Sequence, residues 1–311
     1  MFDFYFTGVP HNSAIADFLL NHPDTCVLLS QLNERRNIYK WIDKLKENPQ
    51  SNCKLFIDSG AFSAWTKGKQ IDVDEYTDFI NTYKDNLTVC ASVDTIPGAP
   101  RTSEVASPEQ VREAAEKTWE NFLYMRSKMD DVDKLLYTFH AGEPWEFLER
   151  ALNYRDEHGP INYLALGGLV GKNEKVLLSF LDKAFNYIKA SDNKNLKVHA
   201  FGMTRLNYLE EFPFTSADST SWLQTANFGS IMINGKSICL SDRKLLDDDN
   251  LINKNVAIKD DIFKLIESRG FTFEELSTES EKRLMFNVKD FLNWAENYKF
   301  RDTIAIKNEL F

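Results

Sequence analysis

The sequence predicts a closed (β/α)8 barrel of the TIM type, followed by a β-hairpin and a helical C-terminal extension. Three observations carry this. Eight short apolar runs alternate regularly with amphipathic segments. The runs are rich in Val, Leu, Ile, Phe and Tyr, as strands covered on both faces should be. All eight units lie before residue 220, which suits closure better than the runner-up, an open doubly wound sheet.

In chain order, the predicted strands cover 2–7, 25–31, 54–58, 88–94, 134–140, 163–167, 197–201 and 214–218. Helices are expected over 13–21, 34–47, 73–86, 108–129, 144–158, 174–190 and 204–211. Asn12 or Ser13 supplies the first cap. Ser107-Pro108-Glu109 opens the fourth helix with a cap and then a proline at the first helical position. Past Asp218 the pattern changes. Residues 229–240 alternate around Asn234-Gly235, a hairpin turn signal. The stretch 245–250 is acidic and loop-like, and 260–268, 272–276 and 288–299 read as helices. Residues 1–225 are thus expected to form the barrel and 226–311 an extension packed on it.

Composition narrows the class. A chain of 311 residues suits one barrel plus an appendage, and 43% hydrophobic with 27% charged residues leaves ample material for a core. There is no apolar run long enough for a membrane span. A strand-like start at Phe2 predicts no signal peptide. Cys26, Cys53, Cys90 and Cys239 are scattered, three of them in apolar runs. They read as free thiols of a reducing compartment, with no Cys-x-x-Cys or His/Cys cluster to hold zinc. The net charge of −10 argues against a surface coated for nucleic acid, but it allows a local basic rim.

Three predicted strands end in a carboxylate: Asp58, Asp94 and Asp218. In (β/α)8 barrels, catalytic side chains project from that end. Any one of them is equally well read as a helix cap. Gly167 and Gly168 stand where a strand meets a loop, so a ligand can approach the backbone there, or the turn is simply tight. Phe201-Gly202 ends the next strand, with a core phenylalanine as the ordinary reading of Phe201.

Taken in order, these motifs resemble the tRNA-guanine transglycosylase family. The likeness lies in Asp58-Ser59-Gly60-Ala61-Phe62, Asp94, His140-Ala141-Gly142, Ala165-Leu166-Gly167-Gly168-Leu169-Val170-Gly171, Phe201-Gly202 and Asp218, across roughly residues 54–220. It implies a barrel enzyme that exchanges guanine in a polynucleotide for a 7-deazaguanine base. Carried over by position, Asp218 is the expected nucleophile and Asp58 the general acid/base. Asp94 would bind the guanine edge, and the backbone around Gly167, Gly168 and Leu169 its carbonyl oxygen. Phe62 and Phe201 would sandwich the base, with Ser59 and Gly202 beside it.

Those residue types fit the chemistry. Cleaving an N-glycosidic bond develops oxocarbenium character at C1′, which one carboxylate can trap while a second group protonates the leaving base. A carboxylate at position 94 can accept from both N1–H and the 2-amino group of guanine. Aromatic faces stack on any base, and a base within a duplex has to be flipped out.

Two departures matter. The family's Cys-x-Cys-x-x-Cys and following His after the nucleophile strand are absent, with only Cys239 in that region. Position 140 is His where those enzymes carry glutamine; it reads as a base-site donor or as a packed strand-end histidine. The resemblance is therefore to the zinc-free branch that inserts 7-deazaguanines such as preQ0 into bacterial or phage DNA. It implies DNA as partner, with tRNA as the alternative, no cofactor and no metal. The implied location is the cytoplasm, including that of a phage-infected cell. Lys67, Lys69, Arg101, Lys172 and Arg205, with Lys236, Arg243 and Lys244, are expected to form a basic rim or to be solvated loop positions. Acidic residues concentrate elsewhere, at 247–249 and 274–281. His199 is read as structural, and the oligomeric state is left open. Two rival functions remain: an N-glycoside hydrolase of guanine nucleosides, and a non-catalytic deazaguanine-binding protein, against which the presence of both Asp58 and Asp218 speaks.

Overall fold

Eight parallel strands close on themselves. The computed structural model describes residues 2–100, 105–240 and 256–301. The barrel strands are β1 (Asp3–Thr7), β2 (Cys26–Ser30), β3 (Lys54–Asp58), β4 (Val89–Ala91), β5 (Leu135–His140), β8 (Tyr163–Gly167), β9 (Lys197–Ala200) and β10 (Ser216–Ser219). They pair in chain order, and β10 returns to β1 with Tyr5 opposite Asp218. The expected (β/α)8 barrel is the observed fold.

Helices cover the strands: α1 (Ala14–Asn21), α2 (Gln31–Glu47), α3 (Ala61–Thr66), α4 (Val73–Tyr83), α5 (Pro108–Lys128), α6 (Trp145–Asn153), α7 (Glu174–Ala190), α8 (Leu206–Glu211) and α9 (Ser221–Asn227). Local chemistry sets several starts. The Ser13 hydroxyl accepts from the Ala16 amide at α1, and Ser107 and Gln110 form a reciprocal capping box at α5. Outward strand residues such as Phe4, Val27, Ile57, Tyr137 and Leu166 pack with helix residues such as Trp41, Phe122, Phe147 and Leu181 in one large core.

Inside the barrel the side chains form layers, because residues two apart share a face. At the bottom, Lys54 Nζ binds the Asp3 carboxylate at 2.7 and 2.8 Å. Above lies a plug of Tyr5, Cys26, Leu28, Phe56, Val89, Leu136, Tyr163 and Ala165. Next up on β1, β3 and β10 come Thr7, Asp58 and Asp218. The fold thus points these side chains into one mouth, on an apolar floor.

Several boundaries differ from the sequence reading. β4 pairs only over Val89–Ala91, so Asp94 sits in the loop after the ladder. Helix α6 stops at Asn153, and Arg155–Asp156 pairs with Gly159–Pro160 as two short strands, β6 and β7. The buried guanidinium of Arg126 holds this turn, donating to both Asp156 oxygens at 2.7 and 2.9 Å and to the Gly159 carbonyl at 3.1 Å. Helices α3 and α9 are too short to show a period in sequence.

The hairpin falls where the Asn-Gly signal put it, as β11 (Ser230–Ile233) and β12 (Lys236–Cys239). Helices α10 (Val256–Ser268), α11 (Phe273–Thr278) and α12 (Ser280–Glu296) follow, the last beginning ahead of the expected position 288. Helix α12 packs on the barrel seam. Phe291 stacks on Phe4 at 4.4 Å, and the Phe2 amide donates to the Ala295 carbonyl. Buried Asn287 links the Met232 amide to the Trp222 carbonyl, and Asp290 accepts from the Asn234 amide. The hairpin tip is thereby laid on the β9–α8 loop: a Cβ at Gly235 would lie 2.9 Å from Leu206 Cγ. Among the described residues no helix is long and apolar enough to cross a membrane.

Candidate active site

Asp218 is anchored on both oxygens. Thr7 Oγ1 donates to Oδ2 at 2.8 Å, and the Gly202 amide donates to Oδ1 at 2.8 Å. His199 Nε2 lies 3.3 Å from the same Oδ1. A carboxylate only accepts, so Nε2 is the donor. In a neutral imidazole, Nδ1 then accepts from Ser216 Oγ at 2.8 Å, and Tyr163 OH completes the chain at 2.6 Å from that hydroxyl. His199 and Ser216 are both wholly buried. This polar thread runs up from the apolar plug to the carboxylate.

Gly202 earns its place by conformation. Its φ of +66° is in the left-handed region, and a Cβ there would lie 2.6 Å from Val170 Cγ2. Only that backbone turns its amide onto Asp218.

Asp58 faces the mouth from β3. Its Oδ2 accepts from the Gly60 amide at 3.0 Å. Burial and the neighbouring Asp94 carboxylate push its pKa up to about 7, with Asp218 adding to the repulsion. Asp58, Asp94 and Asp218 therefore share one field.

On the other flank, His140 Nε2 lies 3.0 Å from Asp94 Oδ2 and Nδ1 lies 2.8 Å from Glu143 Oε1. Burial alone would lower the His140 pKa, but the two carboxylate hydrogen bonds override it and raise it to about 10. The imidazole lies in the space a side chain at position 167 would need. A Cβ on Gly167 would sit 2.6 Å from His140 Cδ2 and 3.0 Å from Nε2. Gly167 makes room for His140. Leu169 is 4% exposed and its side chain belongs to the outer core.

Phe201 lines the interior above Phe56, with ring centroids 5.9 Å apart, and packs on His199 at 4.7 Å. Phe62 is 67% exposed and its ring partner is Trp65 at 5.8 Å. Ser59 is buried, and its hydroxyl accepts from the Ala61 amide at the start of α3.

Comparison of the sequence with protein-family models gives no match, and comparison with curated proteins gives none either. What the site can do is read from its own geometry. A buried carboxyl with its pKa raised to about 7 and an anchored carboxylate share the barrel mouth, and a His–carboxylate pair lines its side.

The rim residues fall in loops on the same side. Lys67 and Lys69 follow α3, Lys172 precedes α7, and Arg205 opens α8. Lys67 Nζ donates to Asn33 Oδ1, and the Arg205 guanidinium lies over the Tyr208 ring at 5.6 Å. Lys236 is exposed beside the hairpin tip, whose Gly235 lies against Thr204 and Leu206. Arg101, Arg243, Lys244 and 247–249 lie outside the described residues.

Sequence reasoning does not single out Thr7 or Glu143; Gly202, expected beside the base, gives its amide to Asp218, and His199, read as structural, is buried with Nε2 3.3 Å from Asp218 Oδ1. Only His199 carried a usable signal. A histidine two residues before a lip position, on a strand otherwise apolar, faces the same interior as that lip.

Proposed function

We propose that this protein is a base-exchange transglycosylase that replaces guanine in DNA with a 7-deazaguanine base of the preQ0 kind, through a covalent Asp218–glycosyl intermediate. The observation that carries the reading is the pairing of Asp58, protonated near pH 7, with Asp218, fixed on both oxygens, at one barrel mouth. Asp58 is buried beside a like charge and Asp218 is held by donors on both oxygens, settings that suit an acid/base and a nucleophile.

In this reading Asp218 attacks C1′ as Asp58 gives its proton to the departing guanine. The incoming base binds in the vacated pocket, loses a proton to Asp58 and attacks C1′, which releases Asp218. Asp94 accepts from the guanine-type edge, and Phe201 offers a ring face at the inner end of the pocket. Lys69, Lys172, Arg205 and Lys236 are the residues that would meet phosphates in this reading. DNA is favoured over tRNA because the cysteine set of the tRNA-acting family is missing after Asp218.

The test is mass spectrometry of nucleosides after the protein is incubated with preQ0 and either DNA or tRNA. Incorporation into DNA, lost in Asp218→Asn, supports the reading. Wild-type incorporation by Asp218→Asn would overturn the covalent mechanism. Release of guanine without incorporation would point to a hydrolase.

A further inference from the structure

Glu143 has no part in the chemistry described so far. It lies in the turn after β5 with its side chain 6% exposed. Oε1 bonds His140 Nδ1 at 2.8 Å, and among the described residues Oε2 has no hydrogen-bond partner. A carboxylate removed from water with a single partner is stabilised only by a positive charge at that partner. Here that partner is the ring whose other nitrogen touches Asp94.

We propose that Glu143 is a specificity-determining positioning residue: it fixes His140 as an imidazolium, so the pocket presents an obligatory N–H donor beside the Asp94 acceptor and selects a 6-oxopurine edge over a 6-aminopurine edge. This rests on the base-exchange reading and deepens it. A 6-oxo, 2-amino purine shows an acceptor at O6 next to donors at N1 and N2. Without a base, Nε2–H is donated to Asp94 Oδ2 at 3.0 Å; when N1–H and the 2-amino group take up that carboxylate, Nε2–H is left to turn to O6, which is the complementary order. A 6-aminopurine shows a donor where O6 was, so two donors would face each other. A neutral imidazole does not enforce this, because Nε2 becomes an acceptor whenever Nδ1 carries the proton. With Glu143 accepting at Nδ1 and Asp94 at Nε2, both nitrogens carry hydrogen.

The groups facing His140 make the state robust. Asp94 bears on it from the loop after β4 and Glu143 from its own turn. The β8 side presents Gly167, which has no side chain to displace the ring. His140 therefore stays cationic through the neutral range, in line with its raised pKa of about 10.

The experiment compares binding of free guanine and free 2,6-diaminopurine to the full chain and to Glu143→Gln, by calorimetry from about pH 6 to about pH 9. These bases share the 2-amino group and differ at position 6 and at N1, which is a donor in guanine and an acceptor in 2,6-diaminopurine; Asp94 therefore contributes to the preference in both chains, and the difference between wild type and variant reports on His140. Wild type is expected to prefer guanine by on the order of 100-fold, evenly across that range. In Glu143→Gln the preference should fall by about tenfold or more toward the alkaline end, as His140 loses its proton. An unchanged, pH-independent preference in the variant would overturn the proposal. Nitrogen NMR of His140 in the wild-type chain gives a second readout that needs neither the variant nor a ligand. A cationic ring throughout that range supports the proposal, and titration at the ordinary histidine value overturns it. If wild type bound neither base, the base-exchange reading would fall, while the NMR result would still decide whether Glu143 holds the proton on His140.

Discussion

Thr7 and Asp218 are 211 residues apart in sequence, and their side chains meet at 2.8 Å across the seam where the first and last strands pair. The hydroxyl of the first strand thus orients the candidate nucleophile of the last. Hydrogen bonds to charged groups contribute about 1.5–3 kcal/mol. Thr7→Val, which keeps the shape and removes the donor, should slow base exchange by about 10- to 100-fold at saturating base. Single-turnover incorporation of labelled base checks this, with a melting temperature lower by a few degrees expected because buried Asp218 loses one of its donors.

Asp58 ties both activity and stability to pH. Its folded pKa is raised to about 7, so folding favours the protonated form. The stabilisation is full below the unfolded value, near 4, and is lost as pH rises through 7. Asp58→Asn should therefore melt about 2–5 °C higher than wild type at about pH 8, and the gap should close toward about pH 4. The same variant should lose base exchange, and the wild-type rate should show an apparent pKa near 7. Calorimetry and a pH–rate profile measure the two effects.

Gly167 has a steric duty toward His140. A Cβ 2.6 Å from Cδ2 forces the ring to move, and the His140–Asp94 contact goes with it. Gly167→Ala should weaken guanine binding by about tenfold or more, while circular dichroism shows the barrel intact. A variant that binds guanine as wild type does would mean that the ring's present position is not needed.

How much could be read from the chain differs by residue. Asp58 and Asp218 were legible because each ends a short apolar run, and strand periodicity is local. Asp94 was legible as a residue but not in its setting, since β4 leaves its ladder after Ala91. The end of α6 was not legible. Arg126, on the preceding helix, fixes the turn by bonds to Asp156 and Gly159. Glu143 carries no signal in the sequence, because its distinction is the ring it touches.

The sequence by itself determined that eight strands would run parallel and that three would lead into an aspartate, because apolar runs and alternation act over a few neighbouring residues. Only the tertiary structure decided which groups hold those aspartates. Closing the barrel sets Thr7 against Asp218 and Asp94 against His140, and each carboxylate's charge and proton depend on what closure brings within about 3 Å.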